Sequence, residues 1–149
     1  MSFFGSMDIS ASGLAMNRTR MDLISQNIAN AETNGYKRKS LIVQEKVTNQ
    51  SDFKDILNDK LVGTNKYKNE YNAGNGVEVT KIFEDSKGML TVYDPDDPTA
   101  DEDGYVTKSN VNIVEEMVNM ISASRSYEAN ATALDANKSM AQKALEIGN

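Results

Sequence analysis

A chain of 149 residues has room for one ordinary domain, and 39% hydrophobic residues without a Trp leave little material for a large private core. The lack of both Cys and His excludes disulfides, thiolate metal sites and cysteine nucleophiles, and removes the commonest general base and the commonest transition-metal ligand. The net charge of −6 is uneven: Glu84 to Gly104 carries a net of −7, which leaves about +1 elsewhere and, beyond Lys37-Arg38-Lys39, no basic face for nucleic acid.

The first residues, Met-Ser-Phe-Phe-Gly-Ser-Met-Asp, lack the basic start and long apolar run of a cleaved secretory signal. No stretch has the length of apolar residues that a membrane span needs. Residues 6–32 have helical periodicity. Met7, Leu14, Met21 and Ile28 recur every seventh position, with Ala11 and Ile24 partly filling the steps between. Ser6 is placed to cap this helix and Asp8 to meet its dipole. Gly13 costs about 1 kcal/mol relative to Ala in a helix interior, so its neighbours must compensate. Asn34-Gly35 supplies the turn that ends the helix.

The middle differs in texture. Tyr36 to Gln44 reads as a strand centred on Leu41, Ile42 and Val43. Residues 49–76 are polar and read as largely flexible, with Phe53, Ile56, Leu57 and Leu61 fitting one short helical face. Val77 to Glu84 and Met89 to Tyr93 read as strands joined in a hairpin by Asp85-Ser86-Lys87-Gly88. Residues 94–104 form an acidic loop with both prolines, Pro95 and Pro98. Against the EF-hand pattern this loop fails: with Gly104 at the sixth position, Thr99 and Asn110 fall where an Asp and a bidentate Glu are needed. A solvated or partner-facing loop is expected, and no cofactor or metal.

From Asn112 to Ile147 a second long helix is expected, with Asn112 and Glu115 at capping-box spacing. Ile113, Met117, Met120, Tyr127, Leu134 and Leu145 follow a 4-3 rhythm completed by Ala131 and Ala141, a seam that lies along another helix. At 1.5 Å per residue this helix would reach roughly 54 Å, too long for the remaining chain to cover. Val114, Val118 and Ile121 lie off that seam, and small residues are frequent along the helix, which favours packing on several faces. Met117, Met120 and Met140 are seam packing in this reading, not a peptide groove. Glu115-Glu116 is explained by charge at a helix start. The Asn-x-Ser/Thr triplets at Asn17, Asn130 and Asn137 sit inside helices, where glycan acceptors do not belong.

The expected fold is mainly α with a small β-containing insert: an N-terminal helical segment (1–35), a middle region (36–111) and a C-terminal helical segment (112–149). The long helices pair in coiled-coil fashion. No convergent carboxylate pair supports an enzyme. A soluble helical adaptor and a polymerising subunit both fit the two seams.

The run Ser25-Gln-Asn-Ile-Ala-Asn-Ala-Glu-Thr-Asn-Gly-Tyr-Lys37 resembles the N-terminal signature of bacterial flagellar axial proteins, the rod, hook and hook-associated group. The match lies at Asn27, Ile28, Ala29, Asn30, Ala31, Thr33, Gly35, Tyr36 and Lys37. The stretches Val92–Val106, Asn110–Asn130 and Lys138–Gly148 resemble the proximal-rod members of that family. The resemblance implies a structural subunit, exported through the flagellar type III apparatus without signal cleavage. It implies self-assembly through both terminal helices into a hollow rod in the basal body, crossing the periplasm where an outer membrane exists. The partners implied are other copies, other rod proteins, the export apparatus and basal-body components. Met7, Leu14, Met21, Ile24, Ile28, Ile113, Met117, Met120, Tyr127, Leu134 and Leu145 are then the expected assembly contacts. Asp101, Glu102 and Asp103 are candidate contacts with neighbouring proteins. Terminal helices without a private core are expected to be poorly ordered until assembly.

Overall fold

The computed structural model describes residues 3–46 and 76–147, so the expectations for 49–75 fall outside the described residues. Helix α1 runs Phe3–Ala29 and helix α2 runs Ile113–Ile147. Between them lie β1 (Arg38–Glu45), β2 (Val77–Asp85), β3 (Leu90–Tyr93) and β4 (Tyr105–Lys108). The chain is thus largely α, with a small antiparallel β insert between two long helices.

The helices pack against one another in antiparallel sense. Asn27 near the end of α1 bonds to Glu116 near the start of α2, while Gly13 faces Asn130. A Cβ on Gly13 would lie 3.0 Å from the Asn130 side-chain oxygen, so the missing side chain lets the helices approach closely. That contact is the compensation its low helix propensity requires. Helix α1 starts at Phe3, ahead of Ser6, so Ser6 is not the cap; its carbonyl accepts the Ser10 hydroxyl inside the first turns. Asn112 does cap α2, its side-chain oxygen accepting from the amides of Val114 and Glu115.

The most buried positions of the two helices differ in part from the expected apolar stripe. On α1, Ser10, Gly13, Asn17, Ile24 and Asn27 are buried, Ile24 being a member of that stripe. On α2, Glu116 and Ala123 are buried, and Asn130 and Asn137 are half-buried. Met7, Leu14, Met21 and Ile28 lie half-buried on the flank of α1, and Ala11 is exposed. Met120, Leu134 and Ala141 on α2 are half-buried, and Ile113, Met117, Tyr127 and Leu145 are exposed. Among the described residues the buried apolar side chains are Leu23, Ile24, Val106 and Ala123.

The strands form two separate antiparallel pairs, β1 with β2 and β3 with β4. The β1–β2 register runs from Arg38↔Asp85 to Glu45↔Val77 and shifts between Ile42 and Val43. The expected β2–β3 hairpin does not form. Asn110 holds the connecting turn by donating its side-chain amide to the carbonyls of Asp85 and Lys87, and Gly88 takes the left-handed conformation there (φ 77°). The chain therefore leaves β2 for a new ladder, in which Leu90–Tyr93 pairs with Tyr105–Lys108. The acidic loop is the connection of that second hairpin. At its neck the Tyr93 and Tyr105 rings meet edge to face at 5.3 Å.

Gly76 enters β2 with φ 91°, in the left-handed region. A Cβ there would collide with Ser12, whose hydroxyl oxygen accepts the Val77 amide at 3.1 Å. This close approach ties the start of the insert to α1.

Candidate functional site

Asn27, at 1% exposure, is the centre of a polar hub. Its side-chain oxygen accepts the Lys39 amide at 2.9 Å and the Tyr36 hydroxyl at 3.2 Å. Its side-chain nitrogen donates to the Lys39 carbonyl and to Glu116 Oε2, both at 2.9 Å. All four hydrogen-bonding positions of the amide are filled, which an Asn can achieve and neither Asp nor Leu can. One side chain thereby joins α1, the first strand of the insert and α2.

Glu116, at 1% exposure, is a buried carboxylate, and its charge is met by Arg38. Glu116 Oε1 accepts from Arg38 Nε at 2.8 Å and lies 2.7 Å from Nη2. Arg38 Nη2 also reaches Glu115 at 3.1 Å. The Arg38 backbone amide donates to Asn110, the residue that holds the Asp85–Gly88 turn. Burial of Tyr36, with the carboxylates of Glu84 and Glu116 nearby, raises the pKa of its hydroxyl above the usual tyrosine value, in keeping with its role as a donor to Asn27.

The turn after α1 docks on the second hairpin. Gly35 takes φ 73° and donates its amide to the Thr107 carbonyl at 2.8 Å. Asn34 donates to Asp97 and to Thr99, both at 2.8 Å. Asn30 and Thr33 bond each other within the turn. Thus Asn27, Asn30, Thr33, Gly35 and Tyr36 of the sequence signature have structural work. Ile28 and Ala31 are half-buried, while Ala29 and Lys37 are exposed.

Asp97 organises the acidic loop from within. The Thr99 hydroxyl and amide, followed by the Asn34 amide, hold its carboxyl below the ordinary value of 3.8. A carboxylate whose pKa is lower folded than unfolded stabilises the fold above the unfolded value. That contribution is lost as pH falls through the folded value. Docking of the loop on Asn34 should therefore hold from neutral pH down to about 3.8 and be lost only below it. A pH titration following the Thr99 and Asn34 signals by NMR checks this, and Asp97→Ala should weaken the loop contact at neutral pH, leaving the bond from Asn34 to Thr99.

Beyond Asp97 the tip Asp101, Glu102 and Asp103 is exposed, closed by a bond from the Gly104 amide to the Asp101 carbonyl. Among the described residues no group of acidic side chains is arranged to hold a metal.

The helix pair contains one unsatisfied group. Asn17 is fully buried at 0% exposure, and neither its side-chain oxygen nor its nitrogen has a partner among the described residues. Such a group costs roughly 1–3 kcal/mol. The helix pair therefore combines few apolar contacts with an internal penalty. On the outside of α2, by contrast, Ile113, Val114, Met117, Val118 and Ile121 form one apolar face, with Val114 at 71% exposure.

Two family models match the chain: flagella basal body rod protein over residues 7–37, and flagellar basal body rod FlgEFG protein C-terminal over residues 102–147. The flagellar basal-body rod protein FlgC of Bacillus subtilis is 46% identical, with 99% of each chain covered. FlgC of Borreliella burgdorferi is 39% identical (99% of this chain and 98% of the relative). FlgC of Salmonella typhimurium is 34% identical, with 99% of each chain covered. The chain belongs to the FlgC family of flagellar basal-body rod proteins. The two matched regions of this FlgC-family chain are the ones the hub joins, since Asn27 lies in the first and Glu116 in the second.

Sequence reasoning found the signature, both helices and the outward apolar residues Val114, Val118 and Ile121. It missed the contacts made by Arg38, Asn110 and Glu116, and the burial of Asn17. Glu116 carried a signal as half of a carboxylate pair, but a helix start already accounted for the charge. Of the three Asn-x-Ser/Thr triplets, Asn17 is fully buried in α1 and Asn130 packs against Gly13.

Proposed function

We propose that this chain is a structural subunit of the flagellar basal-body rod, exported unfolded and assembled through its terminal helices into the hollow proximal rod. Membership of the FlgC family supports the rod assignment. The observation that carries the assembly mechanism is the exposed apolar face Ile113, Val114, Met117, Val118 and Ile121 beside a helix pair with little buried apolar material. Burying each such side chain contributes about 1.5–3 kcal/mol, so contacts between subunits supply what the monomer lacks. Association costs each subunit its translational and rotational freedom, which makes assembly dependent on concentration and on a template.

In this reading the segments 1–35 and 112–149 pair in coiled-coil fashion and line the tube, and 36–111 faces outward. The hub at Asn27, Arg38 and Glu116 fixes the insert to the helix pair, so that rotation of one layer is transmitted to the other. The work is mechanical, with other copies, other rod proteins and the export apparatus as partners, and the location is the basal body. No helix among the described residues is long and apolar enough to cross a membrane. Deleting the gene should abolish swimming and leave basal bodies without a complete rod, with both restored by the intact chain. Normal swimming in the deletion strain would overturn the assignment.

A further inference from the structure

A cleft of about 220 Å³ opens between α1, β1 and α2, lined by Arg20, Leu23, Ile24, Arg38, Lys39 and Leu41 among others. It is smaller than the ~300–1,000 Å³ of small-molecule sites, so its size suits inserted side chains and not a cofactor. Leu23 and Ile24 form a buried apolar floor. The cations at its rim differ. Arg38 is neutralised by Glu116 and Glu115, and Lys39 lies 3.8 Å from Glu84. Arg20 makes no ion pair or side-chain hydrogen bond among the described residues, although it is half-buried. A half-buried arginine with no ion pair among the described residues, beside an apolar floor, is suited to a short acidic segment.

The same chain presents such a segment. Asp101, Glu102 and Asp103 are exposed, and none makes a side-chain bond or ion pair among the described residues. They stand on a loop held rigid by Asp97, Asn34 and the Tyr93–Tyr105 contact, so little ordering cost attends their docking. Within one subunit the tip does not pair with Arg20. We infer that the acidic tip of a second copy of this chain docks in the Arg20 cleft. Contact between two different patches of the same chain is heterologous, and repeated it yields a ring or an open helical assembly, not a two-fold symmetric dimer. The inference rests on the rod reading and names one subunit contact within it.

The chain has no Cys, so single cysteines report this contact cleanly. Cells co-producing an Arg20→Cys chain and a differently tagged Glu102→Cys chain are treated with a short thiol cross-linker, and basal bodies are purified. The expected product is a mixed dimer carrying both tags, absent when either chain is made alone. A second arm uses charge: Arg20→Glu should reduce incorporation into basal bodies roughly tenfold or more, the effect of losing a contact of ordinary strength. A chain with Asp101→Lys, Glu102→Lys and Asp103→Lys in place of the acidic tip, co-produced with it, should restore much of the loss. Both cysteine chains present in basal bodies without a mixed dimer would overturn the inference and leave the rod reading standing. Loss of incorporation by the lysine chain, together with no cross-link between Glu102→Cys and Arg20→Cys, would assign the tip to another protein and also overturn it. Absence of the unsubstituted chain from purified basal bodies would overturn the rod reading itself.

Discussion

Arg38→Ala should destabilise the chain by about 3 kcal/mol, measured as the urea unfolding free energy followed by circular dichroism. Removing one partner of a buried ion pair costs roughly 3–5 kcal/mol, because the remaining charge is left without compensation. The low end applies because Arg38 is 27% exposed and water can partly replace it, while Glu116 at 2% cannot reach solvent without opening the helix pair. A domain of this size has a total stability of roughly 5–15 kcal/mol, and one with so few buried apolar side chains belongs near the bottom. The loss is therefore a large fraction of the whole. Asn27→Asp should be similarly damaging despite its near-identical shape. The nitrogen it replaces donates to a carbonyl and to Glu116, so a second carboxylate oxygen would face two acceptors. Glu116→Gln should also destabilise, since its amide oxygen can accept from Arg38 or from Asn27 but its nitrogen would face the other donor.

The second large effect concerns assembly and leaves stability untouched. Val118→Asp and Ile121→Asp should abolish swimming and incorporation into basal bodies, while the urea midpoint of the monomer changes little. Val118 is 61% exposed and Ile121 63%, and substitutions at such positions usually move stability by less than about 0.5 kcal/mol. Placing a charge in a contact between subunits, however, leaves it unpaired and desolvated. Met120 and Leu134 would be poorer choices for this purpose. Both are half-buried beside the α1–α2 contact, so a charge there breaks the helix pair before any contact with a neighbour is tested. Retained motility in the Val118 and Ile121 variants, with unchanged monomer stability, would remove this face from the assembly surface.

The long helices were legible because their apolar residues recur at helical spacing over many turns, and Asn112 is a plain cap. The phase of the contact was not legible. Apolar spacing pointed to Met7, Leu14, Met21 and Ile28, which are half-buried, whereas Ser10, Gly13, Asn17 and Asn27 are buried, together with Ile24 of the expected set. A small or amide side chain at a seam gives no hydrophobic signal, and only the facing helix shows why Gly13 is needed. The strands β1 to β3 were visible as apolar runs. Their pairing was not, because it depends on Asn110, far along the chain, holding the Asp85–Gly88 turn. Strand β4 is four residues long and has only Val106 buried, too short a pattern to stand out. The acidic loop was found by charge, but its order comes from Asp97 and Asn34, whose contact spans sequence-distant elements.

The central claim is that subunit contacts bury what the monomer leaves exposed on α2. A cryo-EM map of the basal body, resolved to side chains, tests this most directly. The expected map places α1 and α2 antiparallel in the inner layer, with Asn27, Arg38 and Glu116 still bonded and with Val114, Val118 and Ile121 buried against a neighbouring subunit. A rod in which those three side chains face solvent, or the open lumen, would contradict it.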